Sequence, residues 1–228
     1  MVDMVASSFW PLFTRLGEAQ ILLPLVTVAA LWLWLGAGLG AATRQWLISI
    51  ACAVALTTGS KLAFIGWELG VADWDFTGIS GHAACSAASL PVLAWTLMCG
   101  RAKAAQRWAV GLGFALAALV AWSRLEVSAH SASESLSGFA LGSLASAISL
   151  QGLRSASAIL LPDQQRMAPM WLQTAVVASL LLLPVGAPRS RSHDWITALS
   201  VKLSGRSQPF MRQDLHQHQP PAPANRPV

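Results

Sequence analysis

The chain has 228 residues, of which 54% are hydrophobic and 11% charged, with a formal net charge of +5. A soluble domain carries about 25% charged residues, so this composition excludes an ordinary water-soluble globule and points to long apolar runs dissolved in lipid. The basic residues lie in connections and in the C-terminal tail, not on a basic face interleaved with stacking aromatics, and no nucleic-acid partner is expected.

Residues 1–18 contain Asp3 and Glu18 and no basic stretch leading into an apolar core. No secretory signal peptide is expected there; Phe9, Trp10 and Phe13 suit a short interfacial lead. From 19 to about 40 the run ILLPLVTVAALWLWLGAGLG is long enough to cross a bilayer as a helix. Arg44 marks a turn, and a second span covers about 45–68. That span carries Lys61, and a lysine inside lipid costs about 2.5 kcal/mol or more, which makes it a candidate functional residue against the alternative of snorkelling to the interface.

Residues 69–81 (LGVADWDFTGISG) form a polar loop with two aspartates and no basic residue. A third span is expected over about 82–100, a fourth over 108–122, a fifth over 133–153 and a sixth over 170–186. In the fifth, Gly138 and Gly142 share one helix face and let a neighbouring helix come close. The fold expected is therefore all-α, a polytopic membrane bundle of about six transmembrane helices. It divides into a lead over 1–18, a membrane-embedded domain over 19–186 and a polar, basic, partly disordered tail over 187–228. Within the tail, 194–205 can form an amphipathic helix on the membrane surface.

Cys52, Cys85 and Cys99 sit in apolar runs without paired spacing, and His216 and His218 stand apart from other ligand types. Neither a disulfide framework nor a metal site is expected from them.

Six passes bring the Lys61 end, the start of the third span at His82 and the 123–134 connection to one membrane face. The opposite face holds Arg44, Arg101, Lys103, Arg107, Arg154 and Arg166 in short connections. Positive charge in short loops marks the cytoplasmic side, so the shared face is expected to look outward, although the basic tail on that face argues the other way.

Two clusters on that face carry chemistry. His130 and Glu134, four residues apart, stack on one side of a helix start. The carboxylate fixes the imidazole tautomer and leaves the other ring nitrogen as a nucleophile or base. Arg124 lies six residues before His130, about 240° around a continuous helix, so a bend through Ser128 and Ala129 is needed to bring its guanidinium to the same point. Ser80-Gly81-His82 opens the third helix, where free backbone N–H groups and the helix dipole favour an anion. Gly81 allows close backbone approach, and His82 can act as a general acid.

These residues form two motifs, Ile79-Ser80-Gly81-His82 and Ser123-Arg124-x5-His130-x3-Glu134. They resemble the second and third motifs (P-S-G-H and S-R-x5-H-x3-D) of the type-2 phosphatidic-acid phosphatase family, in the vanadium haloperoxidase superfamily. The likeness covers about residues 55–145. It implies an integral-membrane lipid phosphatase or diphosphatase in which His130 attacks phosphorus to form a phosphohistidine, His82 protonates the leaving oxygen and Glu134 orients His130. Lys61, Ser80, Gly81 and Arg124 would then hold the phosphoryl oxygens, with no metal and no cofactor. The implied substrate is a lipid phosphate in the bilayer, and the implied place is a bacterial inner membrane with the site toward the periplasm. The sequence departs from the pattern at Glu134 (Asp in the family), Ile79 (Pro) and, in the first motif, Glu68 and Leu69 in place of Arg-Pro. A carboxylate aimed at phosphate would repel it, so Glu68 keeps open the alternative of binding lipid phosphates without hydrolysis. A further alternative is phosphoryl transfer to another lipid or sugar, by capture of the phosphohistidine with an alcohol instead of water.

Overall fold

A computed structural model of the chain describes residues 9–160, 166–188 and 190–217. The lead begins with helical residues 9–13 and a 3-10 turn, Thr14–Gly17. Helix α1, Ala19–Leu31, runs on through a π turn, Trp32–Gly36. Gly38, at φ +68°, then reverses the chain. Helix α2 spans Gly40–Trp67, α3 Gly81–Leu97, α4 Lys103–Glu126 and α5 Ala132–Ile159. Helix α6, Met170–Gly186, is followed by α7, Ser192–Ser204, and α8, Arg212–Gln217. Among the described residues the only β pairing is an isolated antiparallel bridge between Val71 and Phe76.

The protein is an all-helical membrane bundle. Among the described residues, four helical stretches are long and apolar enough to cross a membrane: Ala19–Gly36, Gly40–Trp67, Lys103–Glu126 and Ala132–Ile159. Helices α3 and α6 have 17 residues each. Several helices run further than the hydrophobic pattern predicts. Arg44 lies inside α2 rather than in a turn, because the reversal is made at Gly38 and Leu39. Arg154 lies inside α5 rather than in a loop. Charged residues extend a helix past its apolar stretch at little cost where their long side chains reach water.

Helix α3 is the axis of the bundle, with twelve of its 17 residues buried. Its small residues make that possible. Trp46 of α2 donates its indole N–H to the Ala88 carbonyl at 3.2 Å, and Ser146 of α5 hydrogen-bonds the Ala87 carbonyl. On α5, Gly138 and Gly142 face α3 so closely that a Cβ would stand 2.5 Å from the Ser80 carbonyl and 2.3 Å from the Ala84 carbonyl. Ser80 N donates to the Glu134 carbonyl at 3.0 Å, so the starts of α3 and α5 lie side by side.

Among the described residues the C-terminal segment carries two helices, α7 and α8, and α7 covers most of the stretch 194–205 expected to form an amphipathic helix. Helix α7 lies along α2, its Ser200 hydroxyl bonding the Leu62 carbonyl at 2.9 Å. Phe64, Ile65 and Leu215 form a second apolar cluster, apart from the main core and packed by Ala72, Ile196 and Phe210. Residues 218–228, where much of the expected disorder falls, lie outside the described residues.

Candidate active site

The end of α2, the starts of α3 and α5 and the end of α4 meet around a cavity of about 910 Å³. Lys61, Gly81, His82, Arg124 and His130 line it. Glu134 and Ser80 stand behind the lining, both with 0% exposure. All seven residues expected from the sequence thus gather at one place, five on the wall and two supporting it.

Each is held by a local device. Glu134 is the third residue of α5 and closes a capping box with Ser131, accepting from Ser131 N at 3.2 Å while Ser131 Oγ accepts from Glu134 N at 3.4 Å. The cap fixes where α5 begins, and His130 directly precedes it. His130 Nδ1 lies 2.6 Å from Glu134 Oε2. With the ionised carboxylate as acceptor, Nδ1 carries the proton and Nε2 keeps its lone pair.

The bend needed before His130 is made at Ser128, in the left-handed region at φ +50°. The Arg124 carbonyl accepts from Ala129 N at 3.0 Å and from His130 N at 3.3 Å, so the end of α4 and the nucleophile candidate are tied through backbone. The Arg124 guanidinium donates from Nη1 to Thr14 Oγ1 at 2.8 Å, while its Nε is buried without a protein partner. Ser80 Oγ and Thr57 Oγ1 are likewise buried and unpartnered. Buried polar groups normally find partners; Thr57 and Arg124 line the cavity, and their unpartnered donors suit an oxygen-rich anion.

Gly78, at φ +138°, lies flat on Lys61: a Cβ there would meet Lys61 Cγ at 3.0 Å. Ile79 N donates to Ser60 Oγ at 3.0 Å, pinning the same strand of chain to α2. Gly81 has ordinary space for a Cβ, 3.6 Å from Thr57 Cγ2, so packing does not demand glycine there and the room opens toward the cavity. The backbone of His82 lies beneath Gly17 of the lead, where a Cβ would come within 2.8 Å of the His82 carbonyl. The lead therefore packs onto the site as well as flanking the bundle.

Burial is the largest influence on His130 and lowers its pKa. The hydrogen bond to Glu134 opposes this, Lys61 and Arg124 add to it, and the net value lies below the ordinary imidazole value. His130 is neutral at pH 7, as a nucleophile requires.

Other residues at the site were not legible in the motifs. Thr77 donates its N–H to Glu134 Oε1 at 2.6 Å, and its hydroxyl bonds the same oxygen. Arg212, from α8, donates from Nη2 to Glu134 Oε2 at 2.8 Å and from Nη1 to the Asp75 carbonyl at 2.9 Å, and also pairs with the Asp75 carboxylate. The C-terminal segment roofs the cavity with His193, Ile196, Phe210 and Arg212 among others. The one hint in the sequence was the 69–81 loop, whose aspartates lack a local counter-charge. Glu68 is the C-cap of α2, in the left-handed region at φ +57°, and does not line the cavity.

No protein-family model and no solved structure matches the chain. A Klebsiella pneumoniae protein described as an uncharacterized 22.5 kDa protein in the cps region is 33% identical over 209 residues, which cover 91% of this chain and 97% of that protein. A match of that extent means that the chain belongs to the same family as this Klebsiella pneumoniae protein.

Proposed function

We propose that the protein is an integral-membrane phosphatase that hydrolyses a lipid phosphate or diphosphate through a phosphohistidine, with the core of the type-2 phosphatidic-acid phosphatase family. The observation that carries this reading is the His130–Glu134 pair at 2.6 Å, facing a cavity lined also by Lys61, His82 and Arg124. His130 Nε2 attacks phosphorus, the P–N bond forms as the P–O bond to the leaving group breaks, and His82 gives that oxygen its proton. Water then attacks the phosphohistidine: the new P–O bond forms as the P–N bond breaks, His82 takes the water proton back, and phosphate leaves a free His130. Lys61, Arg124 and the N–H groups opening α3 stabilise charge on the phosphoryl oxygens as it develops. Ser80 supports that helix start from behind the wall. The chemistry asks for no metal or cofactor.

In this reading α1 to α6 make six passes, with α3 and α6 as the short ones. The site opens at the periplasmic end of a bacterial inner membrane, and Arg101, Lys103, Arg107 and Arg166 crowd the other end. The apolar walls supplied by Val54, Phe64, Ile65 and Ile196 suit a substrate whose tail stays in lipid.

Phosphoryl transfer is the second reading. A smaller cavity of about 530 Å³ shares His82, Arg124 and His193 with the first, and gives an acceptor alcohol its own approach. Phosphate release from a panel of lipid phosphates in detergent, comparing wild type with His130→Ala, tests the first reading. Release is expected from wild type and a loss of about a thousandfold or more in the variant. Well-folded wild type that releases nothing from any substrate overturns it. Addition of acceptor alcohols to the same assay exposes transfer.

A further inference from the structure

Glu134 has no contact with solvent and carries a charge in a helical bundle, where an unbalanced carboxylate is costly. Four neutral donors reach it: Thr77 N and Oγ1 on Oε1, and Ser131 N and His130 Nδ1 on Oε2. With His130 neutral, none of these cancels the charge. Among the described residues, the one full cation within ion-pair distance of Glu134 is Arg212, whose Nη2 lies 2.8 Å from Oε2. Arg212 and His130 thus share a single carboxylate oxygen.

The connection between them is long. Arg212 belongs to a six-residue helix 78 positions after Glu134. It is held there by a clamp on Asp75: Arg212 takes the carbonyl and one carboxylate oxygen, and His216 Nε2 lies 2.9 Å from the other, Oδ1. Residues 212 and 216 are one helical turn apart and present both grips from one face. Phe210 N donates to the Ile65 carbonyl at 2.9 Å, and Leu215 packs on Phe64 and Ile65. Asp75 itself stands in the left-handed region at φ +46°, following the turn Ala72–Trp74.

We propose that Arg212 is a positioning residue of the site, which holds Glu134 toward His130 and makes docking of the C-terminal segment a condition for orienting the nucleophile. The role rests on the proposed phosphatase reading for its effect on turnover, but the docking and its effect on His130 stand apart from it. The charged or titratable groups facing His130 are Lys61 on α2, His82 on α3, Arg124 on α4, Glu134 on α5 and Arg212 on α8. Removal of Arg212 leaves Glu134 with His130 as its best remaining counter-charge. The imidazole then gains affinity for a proton, and a protonated His130 has no lone pair with which to attack phosphorus.

The test uses the full chain in detergent micelles, as wild type, Arg212→Gln and Arg212→Lys. The His130 ring is titrated by NMR of histidine-labelled protein, its signal assigned by loss in His130→Gln, and phosphate release is measured in parallel. Arg212→Gln is expected to raise the His130 titration midpoint by about one unit. It is also expected to lower kcat at pH 7 by about tenfold to a hundredfold, the usual loss for a partner that orients another group, with KM changed less. Arg212→Lys, which keeps the charge without the planar fork, is expected to restore most of the midpoint and part of kcat. An unchanged His130 midpoint in Arg212→Gln overturns the proposal. If Arg212→Gln does not fold, a wild-type midpoint together with wild-type kcat in Arg212→Lys overturns the need for the fork. Wild type that releases no phosphate removes the enzyme reading alone, because the titration still decides the role of Arg212.

Discussion

Where α3 meets α5, two backbones are in contact: the site of a missing Cβ on Gly142 lies 2.3 Å from the Ala84 carbonyl and 2.8 Å from Ala87 Cβ. Where the C-terminal segment meets α2, by contrast, the buried apolar cluster among the described residues is Phe64, Ile65 and Leu215, and polar clamps on Asp75 and Glu134 complete the contact. The first contact is made of shape and cannot shift by an ångström without collision. The second is made of a small apolar patch and partly exposed ion pairs, of which the Arg212–Asp75 pair keeps 34% and 41% side-chain exposure. Exposed pairs contribute about 0–1 kcal/mol and are screened by salt. The bundle is therefore a rigid seat for Lys61, His82 and Glu134, whereas the roof rests on a small apolar patch, one partly exposed ion pair and one pair whose carboxylate is fully buried.

The sharpest way to break that contrast is to fill the α3–α5 contact. Gly142→Val places a branched side chain against the Ala84 carbonyl, which belongs to the backbone of the central helix and cannot rotate away. Overpacking of side chains alone costs about 1–3 kcal/mol, and a collision with backbone costs more. The expected outcome is loss of the folded, monodisperse protein in detergent, read by size exclusion and thermal unfolding. A Gly142→Val protein that melts with wild type means that α5 does not sit on α3 as described.

The corresponding change in the roof is Leu215→Ala. Removing a leucine from a packed site costs about 2–5 kcal/mol, toward the low end here because the cluster is small and Leu215 keeps 8% exposure. The truncation removes a large part of the apolar contact under the segment, so residues 190–217 are expected to become more sensitive to protease and phosphate release to fall, while the melting of the bundle stays within a few degrees of wild type. Coupled loss of both would make the roof part of the bundle and erase the distinction.

This contrast also explains what could be read from the chain alone. The apolar runs predict membrane-crossing helices because every backbone group in lipid must be satisfied within its own segment. The spacing of His130 and Glu134 predicts their pairing because four residues make one helical turn. Both are local rules. The Glu134 contacts of Thr77 and Arg212 join positions 57 and 78 apart and follow from docking, which leaves no period in the sequence. RQDLHQ of α8 is polar on most sides and resembles a solvated tail until Asp75 is placed beside it. Helix ends escape the hydrophobic pattern for a related reason: Arg44 and Arg154 end apolar runs without ending helices.

A smaller effect is expected from pH. His130 titrates below its ordinary value of about 6.5 in the folded protein. Between the folded and unfolded values the unfolded chain binds the extra proton, so stability falls as the pH drops from about 6.5 through the folded value and does not change on this account above it. In the proposed mechanism, attack by His130 follows the same sign. The acid limb of kcat/KM is expected below pH 6.5 in wild type, with no loss from His130 between pH 7 and 8. An acid limb above 7 would show that the shared carboxylate raises His130 more than its burial lowers it.

The smallest effect is expected at the position where the sequence raised the greatest difficulty. Glu68 stands where the resembled family has arginine, and simple repulsion predicts that Glu68→Arg tightens the binding of phosphate or vanadate. The fold changes that expectation. Glu68 caps α2 with left-handed backbone, and its residue is not part of the cavity wall, although Lys61, Phe64 and Ile65 from the same helix are. Seven residues after Lys61 a continuous helix would have made nearly two turns and returned to the same face about 10 Å further along, but α2 ends at Trp67 and the left-handed backbone at Glu68 takes the chain off that course. A charge reversal that far from the anion and near solvent acts through high effective dielectric, so vanadate affinity is expected to change by about threefold or less. Arg212→Gln in the same titration should change it more, because Arg212 lines the cavity and Glu68 does not. A tenfold gain in Glu68→Arg would put the carboxylate back at the phosphate and transfer to position 68 the electrostatic role now assigned to the roof.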